Sequence, residues 1–423
     1  MLMPNPLSLA QHLQHAAQSQ PDALALQVAG KSWCFAELLN DSAALAETLA
    51  ASPEPLRVAG SNLELARLAY ACSLKNRPFF PVDRNNPPTS ELPPLSDTAL
   101  IISTSGSEGR PRAVLLGKAQ LDAAAGAANQ RLHLGPGDRW LNCLPLYHIG
   151  GQAILWRCAR AAACVVLHDG FVAEILASDL QTHRITHLSL VPAMLSRLLE
   201  LGVQPPASLR AALIGGAALS RPLYDKAMAA GWPLYPSYGM SETAAQLASH
   251  APADGPWHEG LVGQPMDGHE IRITDSGCIA VRGPQVMQGY LQGGGVDAEG
   301  WLTTGDLGQL DATGRLTITG RADDMLISGG RNIHPLEVES CLAACPGVRD
   351  VAVTGLPDPV WGDLIVALVV GNAQPDHVLE HARRHLPGAA VPRRLRFVEQ
   401  LPRNAAGKLQ RTALHELAAG AKP

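Results

Sequence analysis

The sequence predicts an α/β protein with a large N-terminal domain of parallel α/β sheets, a small antiparallel subdomain and a small α+β C-terminal domain. Three observations predict it. Short apolar runs alternate with helical patterns from residue 7 to about residue 240, as in parallel sheets with crossover helices. From about residue 260 the chain becomes short strands divided by Gly, Asp and Pro turns. Beyond Gly320 a helix, two strands, a helix and a strand follow within about 100 residues, an acceptable size for a small domain.

In order, a helix begins at Leu7–Ala10, Ala23–Val28 reads as a strand and Phe35–Leu39 opens a second helix. Arg57–Gly60 is a strand, Leu63–Leu74 a helix and the proline-rich stretch Pro78–Pro94 a connector. Ala99–Ile102 is a buried strand and Ala119–Ala128 a helix. Strands follow at Arg139–Leu144, Cys164–His168, His187–Val191 and Leu209–Ile214, with helices at 152–163, 193–201 and 221–230. Leu234-Tyr235 leads to a turn at Ser237–Thr243. Glu270–Thr274, Cys278–Arg282 and Leu316–Thr319 form the antiparallel part. The terminal unit has helices at Pro335–Ala344 and Pro375–Leu386, with strands at Asp350–Gly355, Leu364–Val370 and Arg394–Val398.

The hydrophobic fraction is 46% but aromatics are only 4%, so Leu, Val, Ile and Ala must build the cores. A net charge of −5 without long charge runs excludes a general nucleic-acid or anionic-membrane surface. The eight cysteines form no C-x-x-C and do not pair with histidines at zinc spacing, so they read as thiols in a reducing compartment. No signal pattern and no 18-residue apolar segment occurs; a cytoplasmic protein is expected.

Ser103–Gly117, STSGSEGRPRAVLLG, combines small hydroxyl residues, glycines and arginines after a strand. Such a loop can aim backbone N–H groups and positive charge at a polyphosphate, although it lacks Walker spacing. On composition alone it equally reads as a flexible surface loop.

Six further segments accompany its TSGSEGRPR core (104–112): LPLYHIGG (144–151), IGGAALS (214–220), YGMSET (238–243), TGDLG (304–308), GRADDMLISGGRNIHPLEVE (320–339) and LPRNAAGKLQR (401–411). Together, in this order, they resemble the adenylate-forming superfamily of acyl- and aryl-CoA synthetases, peptide-synthetase adenylation domains and luciferases. The resemblance implies ATP, Mg2+ and the co-substrate CoA: an acid and ATP give an acyl-adenylate and pyrophosphate, then a thiol displaces AMP. Both steps develop negative charge and need oriented donors and cations.

The resemblance assigns the phosphate cradle to Thr104, Ser105, Gly106, Ser107, Gly109 and Arg112, with Glu108 standing where Thr is usual. It places Gly215, Gly216 and Ala217 along adenine, Tyr238 and Gly239 at its stacking ring, and Ser241 or Thr243 at the α-phosphate. It assigns Glu242 to Mg2+, Asp306 to the ribose hydroxyls, Arg321 to ribose or phosphate, and Lys408 to the reacting carboxylate and α-phosphate. Asp323 corresponds to a hinge between residues 1–321 and a mobile domain, 322–423. Rotation there would bring Gly329 and Gly330 to a pantetheine tunnel, where Trp361 packs on the arm and Arg393 and Arg394 face phosphates. Arg331 stands where Glu is frequent. Taken singly, these residues also read as capping turns, solvated charges or core aromatics.

LPLYHIGGQAILWR, LIGGAALS and THLSLVPAMLSRLL resemble the bacterial o-succinylbenzoate-CoA ligases of menaquinone and phylloquinone synthesis. This implies an acid pocket gated by His148 with Gly150 and Gly151, and Arg157 on the dianion's non-reacting carboxylate, for which a bidentate guanidinium is suited. Arg157 also reads as an exposed residue of an amphipathic helix, one turn from Arg160. Alternatives are another aryl- or acyl-CoA ligase of benzoate type, a stand-alone adenylating enzyme loading a carrier protein in trans, and a non-catalytic nucleotide-binding protein. With fifteen residues after Lys408, no fused carrier domain is expected, and a homodimer is left open.

Overall fold

The structure, a computed structural model, describes residues 5–50, 52–85, 92–95, 97–104, 112–403, 407 and 409–420. Ser105, Gly106, Ser107, Glu108, Gly109 and Lys408 lie outside the described residues.

Six strands run parallel in the main sheet, in spatial order Leu234–Met240, Ala211–Ile214, His187–Leu190, Arg139–Asn142, Cys164–Leu167 and Leu24–Val28. Ala211–Ile214, His187–Leu190 and Cys164–Leu167 are buried at every residue, which is why they read as apolar runs rather than alternating patterns. Beyond Leu234–Met240 the same sheet continues antiparallel through Ala245–Ser249, Leu261–Pro265, Leu316–Arg321, Leu302–Leu310, Cys278–Arg282 and Glu270–Ile273. The predicted change of texture is thus a change of strand direction within one continuous sheet.

A second sheet joins Leu56–Val58, Phe79–Pro81 and Leu100–Thr104 in parallel, then Arg112–Leu116 and Gly289–Tyr290 antiparallel. Here the structure differs from expectation. The proline-rich connector begins with a fully buried strand, because Phe79 and Phe80 outweigh the flanking prolines. The chain after the glycine-rich loop forms an unexpected strand, Arg112–Leu116, in a hairpin with Thr104 opposite Arg112, before the expected helix begins at Lys118.

The third sheet is built on Gly362–Gly371. That strand pairs with Val348–Asp358, Arg394–Phe397 and the hairpin Leu326–Ser328/Arg331–Ile333. Val338, Leu342, Val353, Ile365 and Val378 form a core of their own beneath the helices Pro335–Ala343 and Pro375–His385. The hairpin and the last helix, Arg411–Ala419, were not expected; the hairpin's strands have three residues each, too short for a periodic signal. Among the described residues no helix is long and apolar enough to cross a membrane.

Candidate active site

Four adjacent parallel strands deliver their carboxyl ends to one edge of the main sheet, where open α/β sheets bind ligands. Arg139–Asn142 leads into Pro145–Gly151, His187–Leu190 into Val191, Ala211–Ile214 into Gly215–Ala217, and Leu234–Met240 into Ser241–Thr243.

The Pro145–His148 segment is fixed by three amides that the sequence did not single out. Asn62 donates to Leu144 O at 3.2 Å and His168 O at 2.7 Å and accepts from Leu146 N at 2.9 Å. Asn142 donates to Gly151 O at 3.2 Å, and Gln152 to Leu146 O at 2.7 Å. His148 is the residue before the helix Ile149–Ala161, with its ring 4.6 Å from that of Tyr147. Burial lowers its pKa, favouring a neutral imidazole. Gly151 is needed because a Cβ there would lie 2.5 Å from Pro145 O.

Tyr238 and Gly239 end their strand in a strained turn. Ala244 and Ala245 have φ of 51° and 101°, and a Cβ on Gly239 would lie 1.7 Å from Ala245 O. Thr243 is buried, with its hydroxyl 3.2 Å from both Met240 O and Ala245 O, so it holds the turn. Ser241 is the half-buried hydroxyl of the pair proposed for a phosphate. Gly216 has φ of 78°, and a Cβ on Gly215 would meet Ser237 Oγ at 2.9 Å.

Two polar chains leave this turn. In one, Tyr238 Oη donates to Asp306 Oδ2 at 2.6 Å, and Arg321 Nη1 donates to Asp306 Oδ1 at 3.0 Å. Arg321 also grips Asp323 through Nε and Nη2, both at 2.8 Å. Burial, and then the Asp306 carboxylate, raises the Tyr238 pKa well above the usual phenol value, so the hydroxyl remains a donor. In the other, Tyr290 Oη donates to Glu242 Oε1 at 2.9 Å, and the Arg112 guanidinium lies 5.2 Å from the Tyr290 ring centre. Burial, with the Glu242 charge second, pushes the Tyr290 phenol up to about 12. Tyr290 was missed because it lies on a two-residue strand far outside every motif.

The remaining expected residues fall into two groups. Gly329, Gly330 and Trp361 come together in the terminal unit: Gly329 N donates to Trp361 O at 2.9 Å, and Arg393 lies 4.1 Å from the Trp361 ring centre. They are not gathered around Tyr238 and Asp306 among the described contacts. Arg157 is buried, not exposed, and its guanidinium lies 5.2 Å from the Trp140 ring centre. Its Nε has no hydrogen-bond partner, and among the described residues no carboxylate pairs with it. Burial lowers its pKa to about 10, so it is still a cation at neutral pH. Arg160, by contrast, pairs with Asp122, which also accepts from Leu7 N at 3.0 Å and contacts His12 at 2.8 Å.

A cavity of about 580 Å³ opens beside this edge, lined by Asn62, Tyr147, Val191, Met194 and Gly407 among others. It is not lined by Gly215–Ala217, Tyr238 or Asp306; it borders Gly216 through Val191, 3.3 Å from where a Cβ of Gly216 would stand. Gly407 packs so closely that a Cβ would lie 2.5 Å from Val191 Cγ2. Gly407 thus touches the strand-end edge.

Residues 55–291, more than half of the chain, match the family described as AMP-binding enzyme, and residues 337–408 match its C-terminal domain. The chain belongs to the AMP-binding enzyme family. Among family members, it is 38% identical over 337 residues to 2-succinylbenzoate–CoA ligase of Bacillus pumilus, covering 76% of this chain and 69% of that protein. It is similar to o-succinylbenzoate CoA synthetase of Bacillus subtilis in complex with the acyl-adenylate intermediate OSB-AMP, with a TM-score of 0.85, 28% identity and 98% of each chain covered. The Bacillus subtilis synthetase in complex with ATP and magnesium ion gives a TM-score of 0.85 at 29% identity, covering 95% of this chain and 98% of that one.

Proposed function

We propose that this AMP-binding enzyme joins o-succinylbenzoate to CoA in two steps, acyl-adenylate plus pyrophosphate and then thioester plus AMP. The observation that carries the reading to a dicarboxylate is Arg157, a buried cation with no carboxylate partner among the described residues. A charge buried without a counter-ion is costly, and a dianionic acid supplies one. Arg157 lies nine residues into the helix whose N-terminus follows His148, and a helical side chain leans back toward that N-terminus. The acid therefore spans from the His148 gate, beside Gly150 and Gly151, to Arg157.

ATP takes the strand-end edge. Tyr238 and Gly215–Ala217 flank adenine, Asp306 accepts the ribose hydroxyls, and Arg321, Ser241 and Arg112 face phosphate oxygens. Gly239 allows the close turn, and Thr243 holds Ser241 in place. Thr104, Ser105, Gly106, Ser107 and Gly109 complete the phosphate loop, while Lys408 stabilises the charge shared between carboxylate and α-phosphate. Glu242 fits a hard cation: Tyr290 engages Oε1, and Oε2 has no protein partner among the described residues. Mg2+ bound there would neutralise phosphate charge. Neutral His148 excludes water from the reacting carboxylate without adding charge. Asp323 serves as the hinge that exchanges Lys408 for Gly329, Gly330 and Trp361 as the thiol arrives. Eight free cysteines agree with a cytoplasmic setting.

The test is a screen of aryl and alkyl acids with Mg·ATP, offering either CoA or a phosphopantetheinylated carrier protein. AMP, pyrophosphate and thioester are followed by mass. o-Succinylbenzoate with CoA is expected to give the highest kcat/KM. Preference for benzoate, or transfer only to the carrier, would replace this reading.

A further inference from the structure

The terminal unit contains a cluster of soft ligands that adenylate chemistry does not use. Cys341 lies on the helix Pro335–Ala343, and His381 and His385 lie one turn apart on the helix Pro375–His385, which packs against it. One candidate ligand atom from each of the three lies within 4.8 Å of the other two. The two rings are tilted against each other with centres 4.4 Å apart.

Each imidazole has one nitrogen committed to a backbone carbonyl: His381 Nε2 to Cys341 O at 3.0 Å, and His385 Nδ1 to His381 O at 2.8 Å. A carbonyl only accepts, so these nitrogens carry the protons. In the neutral rings, His381 Nδ1 and His385 Nε2 then carry the lone pairs. A carbonyl holding the remote N–H is the outer-shell arrangement that orients metal-binding imidazoles. Cys345 is not a fourth member, since it is buried in the small core with Sγ 3.9 Å from Pro346 O. His385 is exposed, so the remaining face is open to water.

We propose that Cys341, His381 and His385 form a Zn2+ site, completed by one water, that ties the two helices together. A thiolate, two imidazoles and an open fourth position suit a tetrahedral d10 ion. In such a site ligand atoms stand about 3.5 Å apart, so the three must close by about 1 Å, within reach of side-chain rotation. Binding exchanges water on the ion for the protein ligands and releases the Cys341 thiol proton to solvent. The sequence hid this site because forty residues separate Cys341 from His381, which matches no finger spacing.

Untagged full-length protein, stripped with chelator and desalted, is titrated with Zn2+ by calorimetry and with Co2+ by absorbance. One Zn2+ per chain is expected, and Co2+ should show a thiolate-to-cobalt charge-transfer band with tetrahedral d–d bands. Losing an outer-shell partner alone weakens metal sites about 10–100-fold, so Cys341→Ser and His385→Gln should each weaken Zn2+ binding by at least about tenfold. Cys341→Ser should also abolish the charge-transfer band. Thermal melts in metal-free buffer verify that both variants are folded; His385 is exposed, so its replacement leaves the core intact. Absence of saturable Zn2+ binding, or wild-type affinity and Co2+ spectrum in both variants, would overturn the proposal.

Discussion

Tyr238 donates its phenolic proton to Asp306 at 2.6 Å across 68 positions of chain, joining the last parallel strand to the antiparallel part of the sheet. The bond leaves the ring free to stack while fixing the carboxylate proposed for ribose. Tyr238→Phe keeps the ring, and Arg321 still holds Asp306. Loss of one hydrogen bond to a charged group, about 1.5 kcal/mol, should raise the ATP KM about tenfold with little change in kcat. Asp306→Ala removes the ribose acceptor and strands both partners, and a loss in kcat/KM of at least about 100-fold is expected in ATP–pyrophosphate exchange.

Glu242 and Tyr290 form the second link. Tyr290→Phe should raise the Mg2+ concentration for half-maximal activity about threefold, since the carboxylate loses its orientation but keeps its charge. Glu242→Gln should raise it at least about tenfold. The double variant should resemble Glu242→Gln alone if Tyr290 acts through Glu242; additive effects would show that it acts separately.

The two links also show how far the sequence could be read. The ordered motifs singled out Tyr238, Glu242, Asp306 and Arg321; hydrogen bonds link Tyr238, Asp306 and Arg321 in one chain and Glu242 to Tyr290 in another, both leaving one strained turn. Tyr290, Asn62, Asn142 and Gln152 were not legible: Tyr290 and Asn62 act across distant chain contacts, and Asn142 and Gln152 bond backbone carbonyls of an irregular loop that no sequence period marks. The alternation of strands and helices was legible because fully buried strands are continuous apolar runs. The three-residue strand Phe79–Pro81 was not, because it lies in a proline-rich stretch and only its neighbours make it a strand.

Asp323 and Asp324 are held from opposite sides. Arg321 grips Asp323, whereas Arg411 of the last helix bonds Asp324 at 3.0 Å and half-buried Glu339 at 3.1 Å. If Asp323 is the hinge, locking φ with proline should stop the rotation. Asp323→Pro should keep pyrophosphate exchange within about threefold of wild type but lower thioester formation at least about 100-fold. Asp323→Asn, with a free backbone, should retain both. Equal loss of both steps in Asp323→Pro would remove the hinge role.

His269 makes stability depend on acid. It is buried, both ring nitrogens lack side-chain partners, and burial pushes its pKa down to about 4. Below pH 6.5 the unfolded chain takes up a proton that the folded chain refuses, so stability is full above pH 6.5 and falls toward pH 4. The fall from this group approaches about 3 kcal/mol. His269→Gln should therefore lose less stability than wild type between pH 7 and pH 4.5 in urea melts; parallel losses would contradict the assignment.

Adenylation of o-succinylbenzoate leaves a direct signature in the fate of the carboxylate oxygen. With both carboxylates labelled with ¹⁸O, attack on the α-phosphate carries one carboxylate oxygen to AMP when the thiol displaces it. Mass analysis after reaction with Mg·ATP and CoA should find one ¹⁸O in AMP for each o-succinylbenzoyl-CoA formed. Unlabelled AMP, or ADP in its place, would exclude an acyl-adenylate intermediate.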